Sequence, residues 1–203
     1  MEKVLASRTR KLTVVLEDIF QSQNASAVIR TCECFGIQDV HIIESRSKYG
    51  TNLKVLKGSH HWVNIIKHKF KKNEGPKAAF DKLKELGYKI LVTSVSPGSQ
   101  SIYDINPDEL GKIALVMGNE LHGASTVAQE NADALVHIPM VGFTESFNVS
   151  VSAAICISTW VNKIRASETE WSLNEEEKDD IRMKWVRSMV KRVEVLERNF
   201  NKS

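Results

Sequence analysis

Short apolar runs alternate with helix-like segments along the first two thirds of the chain, and this alternation constrains the fold more than any other feature. The predicted strands are residues 12–16, 40–43, 63–66, 89–95, 113–117 and 135–138, and the predicted helices between them are residues 24–35, 76–86 and 126–132. Strands that are apolar along their whole length are buried on both faces, as in parallel sheets whose crossover helices cover both faces. The sequence therefore predicts an α/β fold with a mainly parallel sheet and helices on both faces.

Capping residues set the expected ends of these helices. Asn24 is predicted as the N-cap of the first helix, and Gly36 as the residue that follows its last turn. Pro76 suits the first position of the second helix, and Gly87 closes it.

A different pattern begins at residue 148. Residues 148–164 predict a helix rich in small side chains, which favours close packing. Ser172 or Asn174 is then expected to cap one long helix, whose first turn carries three glutamates where the helix dipole favours acidic groups. Its apolar stripe at helical spacing consists of Trp185, Met189, Val193 and Leu196, with Val186 and Val190 beside it.

The length of 203 residues fits one domain, with or without a terminal extension. No run approaches the roughly 18 apolar residues that span a bilayer, and the first residues are charged, so neither a membrane span nor a secretory signal is predicted. Cys32, Cys34 and Cys156 show no zinc or disulfide spacing and are expected to serve as small apolar side chains. These features predict a cytoplasmic protein without a metal site.

The charge distribution is uneven, although the formal net charge is only +3. Residues 46–73 contain no acidic side chain and eight basic ones, here called the basic segment: Arg46, Lys48, Lys54, Lys57, Lys67, Lys69, Lys71 and Lys72. Such clustering favours a surface that binds a polyanion. A solvated, lysine-rich surface is the alternative.

Several familiar functional motifs are missing from the sequence. No GxGxxG pattern follows a strand and no GxxxxGK[ST] pattern occurs, so no dinucleotide or P-loop site is predicted. The sequence also lacks an HExxH pair and a GxSxG nucleophile elbow, and it offers no centre for nucleophilic hydrolysis.

Three segments lie where an α/β sheet binds its ligands. Residues 24–30 (NASAVIR) follow the loop after the first strand, and residues 115–125 (LVMGNELHGAS) end a strand in a glycine-bounded loop. Residues 138–151 (IPMVGFTESFNVSV) join the last strand to the small-residue helix. Because the carboxyl ends of parallel strands meet at one edge of the sheet, we expect the functional site there.

These segments resemble the motifs of a known family. The patterns NxxAxxRTxxxFG, LVMGNExxG and IPMxGxxxSxNVSVxxAI, in this order and spacing, resemble the three motifs of the SpoU class of SPOUT methyltransferases over residues 12–160. The opening LTVVLEDIFQSQNASAVIRT is especially similar to the TrmH branch, the tRNA guanosine 2′-O-methyltransferases. The resemblance implies methylation of a ribose 2′-hydroxyl in RNA with S-adenosylmethionine as the methyl donor.

The resemblance also implies an architecture. The C-terminal part of the sheet is expected to thread through a loop and form a deep trefoil knot, a topology so rare that only the resemblance predicts it. Residues 1–166 are expected to form the methyltransferase domain with a short basic leader, and residues 167–203 a helical extension packed on that domain. A homodimer is expected, formed by the small-residue helix and part of the C-terminal helix, with Trp160 and Trp185 supplying apolar area.

Cofactor contacts are implied at five positions: Thr93, Gly118, Ile138, Met140 and Phe147. Apolar side chains there would enclose the adenine ring, while strand-end amides read its edge and leave the sulfonium methyl group open to the acceptor. The family usually has leucine where Phe147 stands. Both residues are apolar, so this difference affects the shape of the pocket rather than the identity of the cofactor.

Catalytic roles are implied for Asn24, Arg30, Glu120, Ser146 and Asn148. A ribose hydroxyl is a very weak acid, so its deprotonation must be assisted while the methyl donor lies in line. Arginine stays protonated in proteins, so Arg30 is expected to hold the adjacent phosphate and to stabilise the developing alkoxide. A base role for a strongly perturbed guanidinium group is the alternative.

Structural roles are also open at the other four positions. Asn24, Ser146 and Asn148 are each suited to capping a helix. Glu120 is suited to bracing its loop through backbone amides.

The RNA substrate is expected to be tRNA, at the guanosine of the D-loop. The short basic leader with Arg8, Arg10 and Lys11 and the charged C-terminal helix favour this substrate. The alternatives are 23S rRNA, which related enzymes methylate with the same motifs, and a non-catalytic RNA-binding module. The basic segment disfavours a methyltransferase that acts on small molecules.

Overall fold

The central sheet is parallel throughout. The computed structural model describes residues 1–46, 48–68, 70, 75–190 and 192–200. Within these residues the strands are β1 (Leu12–Glu17), β2 (Asp39–Ile43), β3 (Asn64–His68), β4 (Tyr88–Thr93), β5 (Gln100–Ser101), β6 (Lys112–Met117) and β7 (Ala134–His137). They lie in the order β3-β2-β1-β6-β4-β7-β5, and every neighbouring pair is parallel. The predicted α/β fold with a mainly parallel sheet is confirmed.

Helices cover both faces of this sheet, as predicted. The helices are α1 (Glu2–Leu5), α2 (Ser22–Cys34), α3 (Leu53–Leu56), α4 (Lys77–Glu85), α5 (Pro107–Leu110), α6 (Thr126–Glu130), α7 (Val149–Ala166), α8 (Glu175–Met189) and α9 (Val193–Phe200), with one 3₁₀ turn at Ser59–His61. Successive side chains of a strand point to opposite faces. Val14 and Leu16 accordingly pack with α2 and α7, whereas Val15 packs with α4 and α6.

The strand order brings the loops of non-adjacent segments together. The chain runs outward from β1 to β3, crosses to β4, and returns to place β6 between β1 and β4. Leu16 pairs with Met117, so β1 and β6 end side by side. The loops that leave β1, β4, β6 and β7 therefore open at one edge of the sheet, where the three motif segments lie. The trefoil knot stays a prediction from the resemblance.

The C-terminal helix is interrupted, contrary to the expected single helix. Asn174 is the N-cap of α8, in a reciprocal capping box with Glu177. The helix ends at Met189 because Val190 is extended and Arg192 has a φ of 56°. The buried apolar stripe is accordingly incomplete: Trp185 is buried, whereas Met189 in the stripe and Val186 beside it are exposed.

Both tryptophans that were expected to contribute to a dimer interface are buried within the chain. Trp160 is fully buried, and its indole Nε1 donates to the carbonyl oxygen of Ile102 at 3.0 Å. Trp185 packs in a small cluster with Leu5, Leu173 and Ile181. The prediction that these two residues supply interface area is therefore wrong.

Residues 5–10, here called the N-terminal arm, connect α8 to the sheet. Arg8 pairs with Glu33 of α2 at 2.9 Å, and its guanidinium group lies 5.2 Å from the ring of Trp185. Arg10 bridges Asp39 of β2 and Glu177 of α8, with both contacts at 2.8 Å. The hydroxyl group of Thr9 donates to the carbonyl oxygen of Trp171 at 2.7 Å.

The division of the chain at residue 166 stays a prediction. Among the described helices, none has the length and apolar character needed to cross a bilayer.

A buried histidine pair predicts a pH-dependent stability. His41 Nδ1 and His68 Nε2 lie 2.9 Å apart. Burial lowers the pKa of His41 from 6.5 to about 4, the charges of His68 and Lys82 lower it further, and Asp39 opposes the shift. Between about pH 6.5 and pH 4 the unfolded chain therefore binds a proton at His41 that the folded chain does not. This contribution to stability is fully present above pH 6.5 and is lost as the pH falls through that window.

We expect the free energy of unfolding to fall by about 2 kcal/mol from this site between pH 7.5 and pH 5.0. His41→Phe should reduce that dependence in urea titrations at the two pH values, and His68, whose pKa is also lowered by burial, accounts for what is left. His61→Phe is the control, because His61 is exposed and should leave the dependence as in the wild type. An equal loss of stability in the wild type and His41→Phe would contradict the assignment.

Candidate active site

A cavity of about 610 Å³ opens at the carboxyl edge of the sheet. It is bounded by the loops after β4, β6 and β7 and by the first turns of α7. Nine of the ten predicted site residues line it: Asn24, Thr93, Gly118, Glu120, Ile138, Met140, Ser146, Phe147 and Asn148. The structure therefore brings the three motif segments together around one pocket.

Buried apolar side chains form the floor of this cavity. Val136 and Ile138 are buried at the end of β7, and Cys156 of α7 lines the cavity below them. The hydroxyl group of Thr93 donates to the carbonyl oxygen of Val116 at 3.0 Å, which ties the end of β4 to β6. Phe147 is 44% exposed, so it lies at the rim rather than in the floor.

Gly118 allows the loop after β6 to fold back on itself. A Cβ atom at this position would lie 2.2 Å from the backbone nitrogen of Ala124 and 2.3 Å from the carbonyl carbon of Gly123. Asn119 and Gly123 also exchange two backbone hydrogen bonds, each of 2.9 Å. The loop over residues 118–125, here called the glycine loop, is thus a closed turn that only glycine permits at its first position.

A row of hydrogen bonds crosses the mouth of the cavity. Asn24 Nδ2 donates to Glu120 Oε1 at 2.9 Å, and Asn148 Nδ2 donates to Asn24 Oδ1 at 3.2 Å. Glu120 also accepts from the backbone amides of Phe20 at 2.9 Å and Gln21 at 3.1 Å. One residue from each motif is therefore held in the same network.

The Glu120 carboxylate is stabilised in its charged form. Burial acts to raise its pKa, but hydrogen bonds from Asn24 and from the backbone amides of Phe20 and Gln21 outweigh that effect and hold the pKa below its usual range. Glu120 is thus an ionised brace between the glycine loop and the loop after β1. Its expected bracing role is present, and it brings Asn24 to the cavity at the same time.

Of the three other polar residues, Asn148 has the expected capping role, whereas Asn24 and Ser146 do not. Asn148 is the N-cap of α7, and its Oδ1 accepts from the amide of Ser150 at 2.9 Å. Asn24 is not an N-cap, contrary to the prediction: α2 starts at Ser22 after Gln21, because the loop bound by Glu120 turns into the helix two residues earlier. Ser146 is exposed at the rim of the cavity.

Arg30 is the predicted site residue that the structure places outside the cavity. It is exposed on α2. Ser26, four residues earlier on the same helix face, accepts from the amide of Asn52 at 2.8 Å. Helix α3, which carries Lys54, packs on α2. Arg30 therefore lies on the side of α2 that faces the basic segment.

Asn119 is a structural residue of the site that the sequence did not single out. Its Nδ2 donates to the carbonyl oxygen of Asp18 at 2.7 Å, and its Oδ1 accepts from the amides of Leu121 and His122. Its place between Gly118 and Glu120 in the motif was the available signal. In the described ranges, no three His, Cys, Asp or Glu side chains are grouped closely enough to hold a metal ion.

The cavity has an apolar floor, lies at the strand ends of a parallel sheet and is crossed at its mouth by an ordered row of polar side chains. These features define an α/β protein that binds an organic molecule beside a polar reaction site. The chain belongs to the SpoU rRNA Methylase family, whose model matches residues 11–158. This result confirms the family predicted from the three motifs.

Individual proteins show the same relationship. A tRNA (guanosine(18)-2′-O)-methyltransferase of Borreliella burgdorferi is 44% identical over 201 residues, which cover 99% of this chain and 89% of that protein. The crystal structure of the Aquifex aeolicus TrmH/SpoU tRNA modifying enzyme has a TM-score of 0.80 at 28% identity, covering 93% of this chain and 94% of that one. The SpoU methyltransferase AviRb of Streptomyces viridochromogenes, solved with AdoMet, shares the fold at a TM-score of 0.64 and 18% identity, over 82% of this chain and 62% of that chain.

Proposed function

We propose that this protein transfers a methyl group from S-adenosylmethionine to the ribose 2′-hydroxyl of guanosine 18 in the D-loop of tRNA, as a homodimer in the cytoplasm. The observation that carries the proposal is the row Asn148–Asn24–Glu120 at the mouth of a cavity with an apolar floor. The names of the similar proteins support the choice of RNA and nucleotide.

The cavity fits an adenosine-containing cofactor in size and character. A volume of about 610 Å³ is ordinary for a cofactor site. Ile138 and Met140 offer apolar contact to a purine ring, and backbone groups near Thr93 and Gly118 can bind its edge. Phe147 lies at the rim of the cavity, and its side chain is larger than the leucine that the family usually has at this position. When bound, the cofactor supplies an electrophilic methyl group on a sulfonium centre.

Asn24 is positioned to bind the acceptor ribose. Its side-chain amide is fixed from both sides, since Nδ2 donates to Glu120 and Oδ1 accepts from Asn148. An amide oxygen has two lone pairs, so Oδ1 can accept a second hydrogen bond from a ribose hydroxyl. Ser146, which is exposed and lines the same cavity, offers a further polar group. A preorganised row of this kind orients the hydroxyl without reorganisation during the reaction.

Arg30 is proposed to hold the phosphate next to the target ribose. Arg30 lies beside α3, so it extends the positively charged surface formed by the exposed side chains of Lys54 and Lys57. A planar guanidinium group binds phosphate through paired hydrogen bonds. The RNA backbone would then run along the outer side of α2 and lead one nucleotide, swung out of its stack, into the cavity.

The proposal is tested by methyl transfer from labelled S-adenosylmethionine into defined RNAs. An unmodified tRNA transcript should accept the label at guanosine 18, and the same transcript made with 2′-O-methylguanosine at that position should not. Preferential labelling of 23S rRNA would favour the rRNA alternative. Binding of tRNA without any transfer would identify a non-catalytic RNA-binding module and overturn the proposal.

The basic segment predicts a steep salt dependence of tRNA binding. Arg46, Lys48, Lys54, Lys57 and Lys67 are exposed, whereas Lys69, Lys71 and Lys72 lie outside the described residues. Each phosphate contact releases counterions, so Lys54→Ala combined with Lys57→Ala should lower the slope of log affinity against log salt by somewhat under one unit per lost contact. The methylated nucleotide should stay the same, because phosphate contacts carry no sequence information.

The matched control for this titration is Lys77→Ala combined with Lys84→Ala. Both lysines lie on α4, which packs on the opposite face of the sheet from α2 and α3. The control should keep the wild-type slope. If both double variants behave alike, the basic segment is only a solvated surface.

A rim of exposed apolar side chains supports the proposed homodimer. This rim patch consists of Phe20, Leu121, Val141, Phe143, Phe147 and Val151, each at least 44% exposed. Its members flank the polar row: Phe20 adjoins Glu120 through its amide, and Phe147 precedes Asn148. Exposed apolar area around a pocket marks an interaction surface. A second copy of the chain seated there would bury the patch, and the small side chains at Ser150 and Ala154 of α7 would allow its close approach.

Sedimentation equilibrium at micromolar concentration should give twice the mass of the chain. Val141→Asp combined with Phe143→Asp should shift the protein toward the monomer, because buried unpaired carboxylates oppose association. Leu86→Asp, an exposed leucine at the end of α4, should stay dimeric. A monomeric wild-type protein would overturn the homodimer.

A further inference from the structure

A buried carboxylate at the end of β1 bonds to the far end of the glycine loop. Glu17 is the last residue of β1 and is 2% exposed. Its Oε2 accepts from the backbone amide of Ser125 at 2.9 Å, and its Oε1 accepts from the Ser125 hydroxyl group at 2.6 Å. Both oxygens are therefore engaged by one residue. Burial of a carboxylate costs free energy unless it is hydrogen-bonded, so Glu17 at this position requires the hydrogen bonds from Ser125.

Ser125 also fixes where the glycine loop ends. It is the N-cap of α6, and its Oγ accepts from the amide of Ala128 at 3.1 Å. The Ser125 hydroxyl group thus donates to Glu17 and accepts from α6 at the same time. The other end of the loop is fixed at Gly118, which follows β6 directly.

The residue after Glu17 fixes the middle of the same loop. Asp18 has a φ of 52°, and its carbonyl oxygen accepts from Asn119 Nδ2 at 2.7 Å. Two and three residues further along, Phe20 and Gln21 donate their amides to Glu120. The segment from residue 17 to residue 21 therefore bonds to the glycine loop at three points. Glu17 supplies one of these points from a side chain that is itself buried.

We propose that Glu17 is a positioning residue for the cofactor pocket, acting through Ser125 on the glycine loop. Glu17 does not line the cavity, so it acts on cofactor and substrate only through the loop. The glycine loop carries Gly118 at the cofactor wall and Glu120, which orients Asn24. This inference rests on the proposed function for the identity of the cofactor, whereas the link between Glu17 and loop order stands on the geometry alone.

The test compares Glu17→Gln and Ser125→Ala with the wild type in two measurements on the full-length protein. The first is the Kd of S-adenosylmethionine by calorimetry, which we expect to rise about tenfold in each variant, the equivalent of roughly 1.4 kcal/mol. The second is hydrogen exchange of the glycine loop in the cofactor-free protein, which should become faster in both. The effect of the double variant should be smaller than the sum of the two single effects, because both substitutions weaken the Glu17–Ser125 contact. Ser125→Thr keeps the hydroxyl group and should behave nearly as the wild type.

Thr13→Val is the matched control for a purely structural role. Thr13 is also a buried polar residue of β1, and its hydroxyl group donates to the carbonyl oxygen of Asp39 at 2.6 Å, away from the cavity. It should lower the free energy of unfolding without changing Kd or loop exchange. If Glu17→Gln and Ser125→Ala likewise change only stability, the inference is overturned. If Glu17→Gln does not fold, Ser125→Ala alone decides between these results.

The two measurements separate this inference from the proposed function. A wild-type protein that does not bind S-adenosylmethionine would contradict the proposed cofactor, and loop exchange would still decide the role of Glu17. Normal loop exchange in both variants would overturn the role of Glu17 whatever the cofactor.

Discussion

Gly118→Ala is expected to raise the Kd of S-adenosylmethionine at least about a hundredfold, equivalent to roughly 3 kcal/mol of binding free energy. The added Cβ would lie 2.2 Å from the backbone nitrogen of Ala124 and 2.3 Å from the carbonyl carbon of Gly123. Both atoms belong to the backbone, so no side-chain rotation relieves the overlap, and the glycine loop must open. Equilibrium binding of the cofactor measures the effect directly.

Gly75→Ala is the control for this substitution. Its Cβ would have no neighbouring atom within 4 Å, and the affinity for the cofactor should be unchanged. Thermal unfolding of both variants shows whether Gly118→Ala damages the pocket or the whole fold. Wild-type cofactor affinity in Gly118→Ala would show that the loop can open without altering the pocket.

Arg30→Ala is expected to lower kcat about a hundredfold or more, because removal of one preorganised charge-stabilising group costs roughly 3–4 kcal/mol of barrier. The affinity for S-adenosylmethionine should change little, since Arg30 lies outside the cavity. Arg30→Lys keeps the charge but loses the paired geometry, so it should recover only part of the rate. Single-turnover methylation of tRNA, with cofactor binding measured separately, gives both quantities.

Arg182→Ala serves as the matched control for Arg30→Ala. Arg182 lies on α8 and pairs with Glu2, remote from the carboxyl edge of the sheet. Its removal should leave kcat unchanged. A loss of cofactor binding in Arg30→Ala would assign Arg30 a structural role instead and would count against its contact with RNA phosphate.

The sheet was predictable because its signal is local. Each of the six predicted strands occurs within two residues of its expected bounds, since fully apolar runs have few other ways to be buried. The edge strand β5 was missed because two residues carry no periodicity. The interruption after Met189 was missed for a related reason, because Arg192 adopts a positive φ that its residue type does not signal.

The residues that form the site were predictable from the sequence, but the contacts between them were not. Resemblance placed nine of ten residues around the cavity. It could not show that Asn24 donates to Glu120 and accepts from Asn148 rather than capping α2. Contacts between residues about a hundred positions apart depend on strand order, which no local pattern encodes. Glu17 was missed for the same reason, since its partner Ser125 lies 108 residues away. Trp160 and Trp185 were wrongly expected at an interface because burial within the chain also depends on tertiary packing, which the sequence does not show.

The N-terminal arm has a consequence for the order in which the protein forms during synthesis. Thr9 bonds to Trp171, 162 residues further along the chain, so at roughly 5–20 residues per second its partner emerges about 8–30 s later. The sheet from β1 to β7 can assemble in that interval, but Leu5 and Arg8 gain Trp185 only when α8 has been made. During this time the arm can contact Glu33 and Asp39 but lacks its contacts with Trp171, Glu177 and Trp185. Packing of the arm against α8 is therefore a late step. Protection of residues 5–10 from cleavage on ribosome-bound chains would mark the point at which α8 has docked.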